Sequence, residues 1–128
     1  AMPISILRIN YMKGKLKLIM DSNGEINLED YSPKNDFFCI NILLGIGLND
    51  NNKMDYFELR ICSIKWIELN EEYPIILRNT LIVKKYNYKE LLKTLENYIC
   101  KCEGSSWEDI SLKLSRYFSW EFENYSEI

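Results

Sequence analysis

A chain of 128 residues, 47 % hydrophobic and 27 % charged, is long enough to bury one core and lies far from the low-hydrophobicity, high-charge regime of disorder. Its net charge of −3, with no clustered Lys and Arg, excludes the basic stripe that nucleic-acid binding demands, and no apolar run approaches the roughly 18 residues of a membrane helix. The acidity is uneven: residues 103–128 hold Glu103, Glu108, Asp109, Glu121, Glu123 and Glu127 against Lys113 and Arg116, a distribution that steers a basic partner.

The opening AMPISILRINYMKGK has no charged leader, apolar stretch and small-residue cleavage site in succession, so the expected compartment is the cytoplasm. Alternation over residues 4–10 and 15–20, with Lys13-Gly14 between them, predicts a hairpin closed by a tight turn. The polar tract that follows, DSNGEINLEDYSPKND, reads as a loop. Residues 37–48 are nearly continuously apolar, weakening at Gly45 and Gly47, and pair after a polar turn with YFELRICS at 56–63. In the second of these strands Phe57, Leu59 and Ile61 alternate with Tyr56, Glu58, Arg60 and Cys62, as a sheet with one buried and one wetter face requires.

Ser63 caps a short helix over 63–70 that packs Ile64 and Ile67 and ends before Pro74. The β-branched run at 80–86 is a further strand. From Asn87, a plausible N-cap, the series Tyr88, Leu91, Leu92, Leu95, Ile99, Cys102 follows a 3.6-residue period, and Gly104 reads as its C-terminal stop. Ser105 and Glu108 have capping-box spacing for a second helix, with Trp107, Ile110, Leu114, Tyr117 and Phe118 on its apolar stripe. After Ser119 an extended tail is expected to bury Trp120 and Phe122 on one face and to present Glu121, Glu123 and Tyr125 on the other. Strands first and helices last predict an α+β fold in one domain over 1–128: an antiparallel sheet with a C-terminal helical hairpin packed on one face.

The chemistry the chain can support is narrow. It has no His, which removes the commonest general acid or base. Four cysteines (Cys39, Cys62, Cys100, Cys102) read as reduced thiols, and Cys100-x-Cys102 has the wrong spacing for a zinc knuckle, so neither metal nor cofactor is expected. Gly45-x-Gly47 lacks the rest of a phosphate loop. Glu121 and Glu123, two apart on an extended segment, are the one paired-carboxylate arrangement, with solvated surface acids as the plainer reading.

The pieces Cys102-Glu103-Gly104, Ser106-Trp107-Glu108, Leu114 to Phe118 and Trp120-Glu121-Phe122-Glu123-Asn124-Tyr125 together resemble the immunity protein 8 family of bacterial polymorphic toxin systems. The segments at 37–47, 57–66 and 81–86 fall in compatible order, so the resemblance covers residues 36–125 and leaves 1–35 outside. It implies a non-enzymatic cytoplasmic protein that binds and neutralises a cognate toxin domain, as in contact-dependent inhibition. With a basic toxin, the expected contacts are Glu121, Glu123 and Tyr125 on the tail and Asp50 and Asp55 in the 49–55 loop. The rival from another class is a small-ligand or carbohydrate-binding module that stacks its ligand on Trp120, Tyr117 or Tyr125.

Overall fold

The computed structural model describes residues 11–123. It contains β1 (Met12–Asp21), β2 (Cys39–Leu48), β3 (Asp55–Ser63), β4 (Thr80–Val83), β5 (Glu103–Gly104) and β6 (Ser119–Trp120), with helices α1 (Ile64–Asn70), α2 (Tyr88–Lys101) and α3 (Trp107–Leu114). The strands form one sheet in the order β4-β3-β2-β1-β5, and β6 pairs with β3. The architecture is a mixed α+β layer pair.

Alternation builds the core. Ile40, Ile42 and Leu44 of β2 stand directly opposite Ile61, Leu59 and Phe57 of β3, and directly paired residues share a face. That apolar face receives Leu91, Leu95 and Ile99 from α2 and Ile110 and Leu114 from α3. β1 keeps the same face only through an irregularity: its register shifts between Leu16 and Leu18, so Leu16 and Ile19, three apart, pair with the inward residues Ile46 and Leu44.

Several expectations change on contact with this geometry. Lys13-Gly14 is not a turn but part of β1, and the first arm expected at 4–10 lies outside the described residues. A Cβ on Gly14 would meet the Ile99 carbonyl oxygen at 3.0 Å and Ile99 Cγ2 at 3.2 Å, while the Gly14 N–H donates to the Cys102 carbonyl at 3.1 Å. The glycine is therefore required by the close approach of the end of α2, not by chain reversal.

The sheet is also not wholly antiparallel. β4 runs parallel to β3, with Arg60 opposite Thr80 and Ser63 opposite Val83, because the chain leaves β3 through α1 and crosses back before re-entering the sheet. β4 stops at Val83. Tyr86, expected in that strand, instead packs edge to face with Tyr31 and Phe38 at centroid distances of 4.9 and 5.6 Å, and its hydroxyl donates to the Leu28 carbonyl. That cluster pins the polar 21–36 loop, which buried Asp21 shapes by accepting from the Glu25 and Ile26 N–H groups at 2.9 and 3.0 Å.

Ser63 and Asn87 cap α1 and α2 as expected, accepting from Trp66 N (3.2 Å) and Glu90 N (3.1 Å). The connection between α2 and α3, expected to be a simple hairpin turn, passes through a strand. α2 ends at Lys101, with Cys102 rather than Gly104 at its C-cap, and Gly104 lies in β5, which pairs with Met12 and Lys13 of β1. The cap of α3 is Ser106, accepting from Asp109 N at 3.2 Å, whereas Ser105 donates to the Asp109 carboxylate at 2.9 Å. The two helices meet through Tyr98, whose hydroxyl donates to the Lys113 carbonyl at 2.8 Å. Tyr117 leaves the expected stripe and is 60 % exposed, while Phe118 is buried. Substituting Gly14→Val is expected to lower stability by about 1–3 kcal/mol through overpacking against Ile99; a urea midpoint equal to that of the wild type would contradict this account of β1.

Candidate functional site

β3 starts at Asp55, opposite Ile46, so its side chain lies on the inward face. There one oxygen, Oδ2, accepts hydrogen bonds from the indole N–H of both Trp107 (2.8 Å) and Trp120 (3.0 Å). The Trp120 ring stacks on Phe57 with centroids 6.3 Å apart, and Phe57 meets Phe118 edge-on. A single carboxylate thus joins β3 to the first turn of α3 and to β6. The same junction explains the glycine of Cys102-Glu103-Gly104, since a Cβ there would lie 2.6 Å from Asp109 Cβ.

β6 pairs Trp120 with Phe57 and Ser119 with Glu58. The ladder continues for one more residue: Glu121 N donates to the Tyr56 carbonyl at 3.0 Å, and Tyr56 N donates to Glu121 Oε1 at 2.9 Å. The chain then turns, with Glu123 N donating to the Trp120 carbonyl at 3.0 Å, and Glu123 forms an ion pair with Arg78. This corrects the extended tail: Glu121 and Glu123 do not share a face but go to separate partners. No paired-carboxylate site is assembled. Nor is Trp120 an open stacking platform, because its ring and its N–H are both engaged within the fold. Tyr117 is exposed and packs edge-on against Tyr98 at 5.0 Å.

Of the four expected contact residues that are described, three are engaged within the fold. The carboxylates of Asp55, Glu121 and Glu123 hold, respectively, two indoles, a backbone N–H and an arginine. Asp50 is exposed in the turn between β2 and β3. Tyr125 lies outside the described residues. Among those described, no group of three or more His, Cys, Asp or Glu side chains is placed to hold a metal ion, and no helix is long and apolar enough to cross a membrane.

What the structure does bring together is the outer face of the sheet. Met20 stands opposite Leu43, and Leu43 opposite Glu58; Tyr56 follows on the same face, 38 % exposed. Leu43, Tyr56, Glu58, Ser119, Trp120 and Glu121 line a hollow of about 440 Å³. Glu58 is exposed and has no hydrogen-bond or ion-pair partner among the described residues. The hollow combines an apolar floor with a phenol and two carboxylates, a composition suited to holding a side chain of a protein partner. The strand pattern in YFELRICS assigned Tyr56 and Glu58 to the wetter face, but the continuous apolar run of β2 concealed that Leu43 faces outward beside them.

The sequence model of a family described as immunity protein 8 matches residues 15–125. The match takes in residues 15–21 of β1, beyond the 36–125 range of the sequence resemblance, and these residues pair with β2. No curated protein and no solved structure matches the chain.

Because two charge-assisted hydrogen bonds converge on one oxygen, Asp55→Ala is expected to cost about 2–4 kcal/mol and to shift tryptophan emission to the red. Asp55→Asn, which keeps an accepting oxygen, is expected to cost about half as much. Urea unfolding with a wild-type midpoint for Asp55→Ala would contradict the bridge.

Proposed function

Because the chain belongs to the immunity protein 8 family, we propose that it is a non-enzymatic immunity protein that neutralises a cognate bacterial toxin domain by binding it directly through the outer sheet face. The observation that carries the choice of surface is the asymmetry of the sheet. Its inner face is filled by α2 and α3, whereas its outer face presents half-exposed Tyr56, Leu43 and, beside Glu121, Glu58, which has no partner among the described residues. An aromatic anchor ringed by acids is the composition of an interface hot spot for a basic partner. Asp50, in the β2–β3 turn, adds a further acid. Asp55 and Glu123 leave the contact set, since their carboxylates serve Trp107, Trp120 and Arg78.

The setting that fits this reading is a polymorphic toxin system with contact-dependent inhibition, in which the protein acts in the cytoplasm on a toxin delivered by a neighbouring cell. Covering the toxin's active site, or binding beside it, needs no catalytic group on this chain, in keeping with the absence of His.

Co-expression with the toxin domain encoded next to it tests the function, and substitutions test the surface. The wild-type chain is expected to restore growth and to bind one to one. Tyr56→Ala and Glu58→Lys are each expected to weaken binding at least about tenfold, with Glu58→Lys acting chiefly on the association rate at low salt. Glu96→Lys, on the exposed side of α2, is expected to leave affinity unchanged. Absence of binding and rescue by the wild-type chain would overturn the function; sensitivity to Glu96→Lys alone would move the surface.

A further inference from the structure

Cys39, the first residue of β2, and Cys62, near the end of β3, are directly paired across the antiparallel ladder. Their sulfurs lie 2.8 Å apart, and both are free thiols. Directly paired antiparallel residues have Cα atoms about 4.5–5.5 Å apart, within the roughly 4.4–6.8 Å that a disulfide spans, so the backbone already meets the requirement for a bond. Neither lines the outer hollow, and Cys62 is fully buried while Cys39 is half-buried. The other two cysteines have no such relation: Cys100 is exposed on α2, and buried Cys102 directs its thiol to the Tyr98 carbonyl at 3.5 Å.

We propose that Cys39 and Cys62 form a reversible modification site, closing to an intramolecular disulfide by exchange with a low-molecular-weight disulfide such as oxidised glutathione. Half-buried Cys39 reacts first, because it reaches solvent while Cys62 is fully buried. Its thiolate attacks one sulfur of the small disulfide, the S–S bond of that molecule breaks, and one small thiol leaves with the proton that Cys39 gave up. The Cys62 thiolate then attacks the Cys39 sulfur of the mixed disulfide, and the second small thiol leaves with the proton of Cys62. Two protein thiols are oxidised and one small disulfide is reduced to two thiols. The order agrees with the chemistry of Cys62, whose thiol burial and the neighbouring Cys39 push up to about 12, against the opposing pull of the Arg60 guanidinium. A mixed disulfide at Cys39 places an electrophile directly beside Cys62, so that its scarce but strongly nucleophilic thiolate can attack productively.

The bond would close a loop between residues 23 apart, enclosing the β2–β3 hairpin that carries Leu43, Tyr56 and Glu58. Constraint of the unfolded chain over a loop of this length corresponds to a rise in Tm of roughly 10 °C.

The test uses the full chain carrying Cys100→Ser, which removes the exposed thiol, incubated with oxidised glutathione, unfolded, alkylated and mapped by peptide mass. The expected result is a peptide pair joined through Cys39 and Cys62 with Cys102 alkylated, a Tm raised by roughly 10 °C, and reversal of both by dithiothreitol. A further Cys39→Ser substitution is expected to abolish the bond. A glutathione adduct that persists on Cys39 without closure onto Cys62, or four-cysteine wild-type chain that stays fully alkylatable, would overturn the proposal. The peptide map decides the matter even where Cys39→Ser fails to fold.

Discussion

Two indole N–H groups, delivered by α3 and by β6, find their acceptor in one oxygen of Asp55. Each would cost about 1–3 kcal/mol if buried without a partner, so the placement of α3 and of β6 is tied to the first residue of β3. Much follows from that constraint. With Trp107 held, α3 presents Ile110 and Leu114 to the sheet; with Trp120 held, β6 adds to β3, and Glu121 locks on through Tyr56. β6 is thereby kept on the β3 edge, where Ser119 and Glu121 border the outer hollow beside Leu43, Tyr56 and Glu58.

The segments that carry the family resemblance acquire a physical meaning here. Ser106 caps α3, Gly104 makes room for Asp109, Trp107 and Trp120 share Asp55, and Glu121 clamps Tyr56. Each of these is a packing or hydrogen-bonding role inside the fold. The carboxylates that looked in the sequence like partner contacts are mostly used in this way, and the proposed docking surface lies instead on neighbours in β2 and β3.

How far the sequence was legible depended on the range of the interactions involved. The β2–β3 pair and α2 were readable because alternation and a 3.6-residue period are written within each segment. Gly14 was misread because its partner, Ile99, is distant in the chain and only the folded structure brings it within contact. The cap of α3 was ambiguous for a local reason: Ser105 and Ser106 each precede an acid by three residues, Glu108 and Asp109, so the capping signal is duplicated. The direction of β4 depended on a crossover whose geometry no local pattern encodes. For the site, the alternation in β3 revealed Tyr56 and Glu58 as outward residues, but the use of Asp55 and Glu121 as internal clamps required long-range pairing to be known.

The outer sheet face is proposed to receive the toxin. Amide chemical shifts of the isotopically labelled chain, recorded as unlabelled toxin domain is added, test it most directly. Leu43, Tyr56, Glu58, Ser119 and Glu121 are expected to shift together while the exposed side of α2 stays still; changes confined to α2 and β4, with those five residues unmoved, would contradict docking on this face.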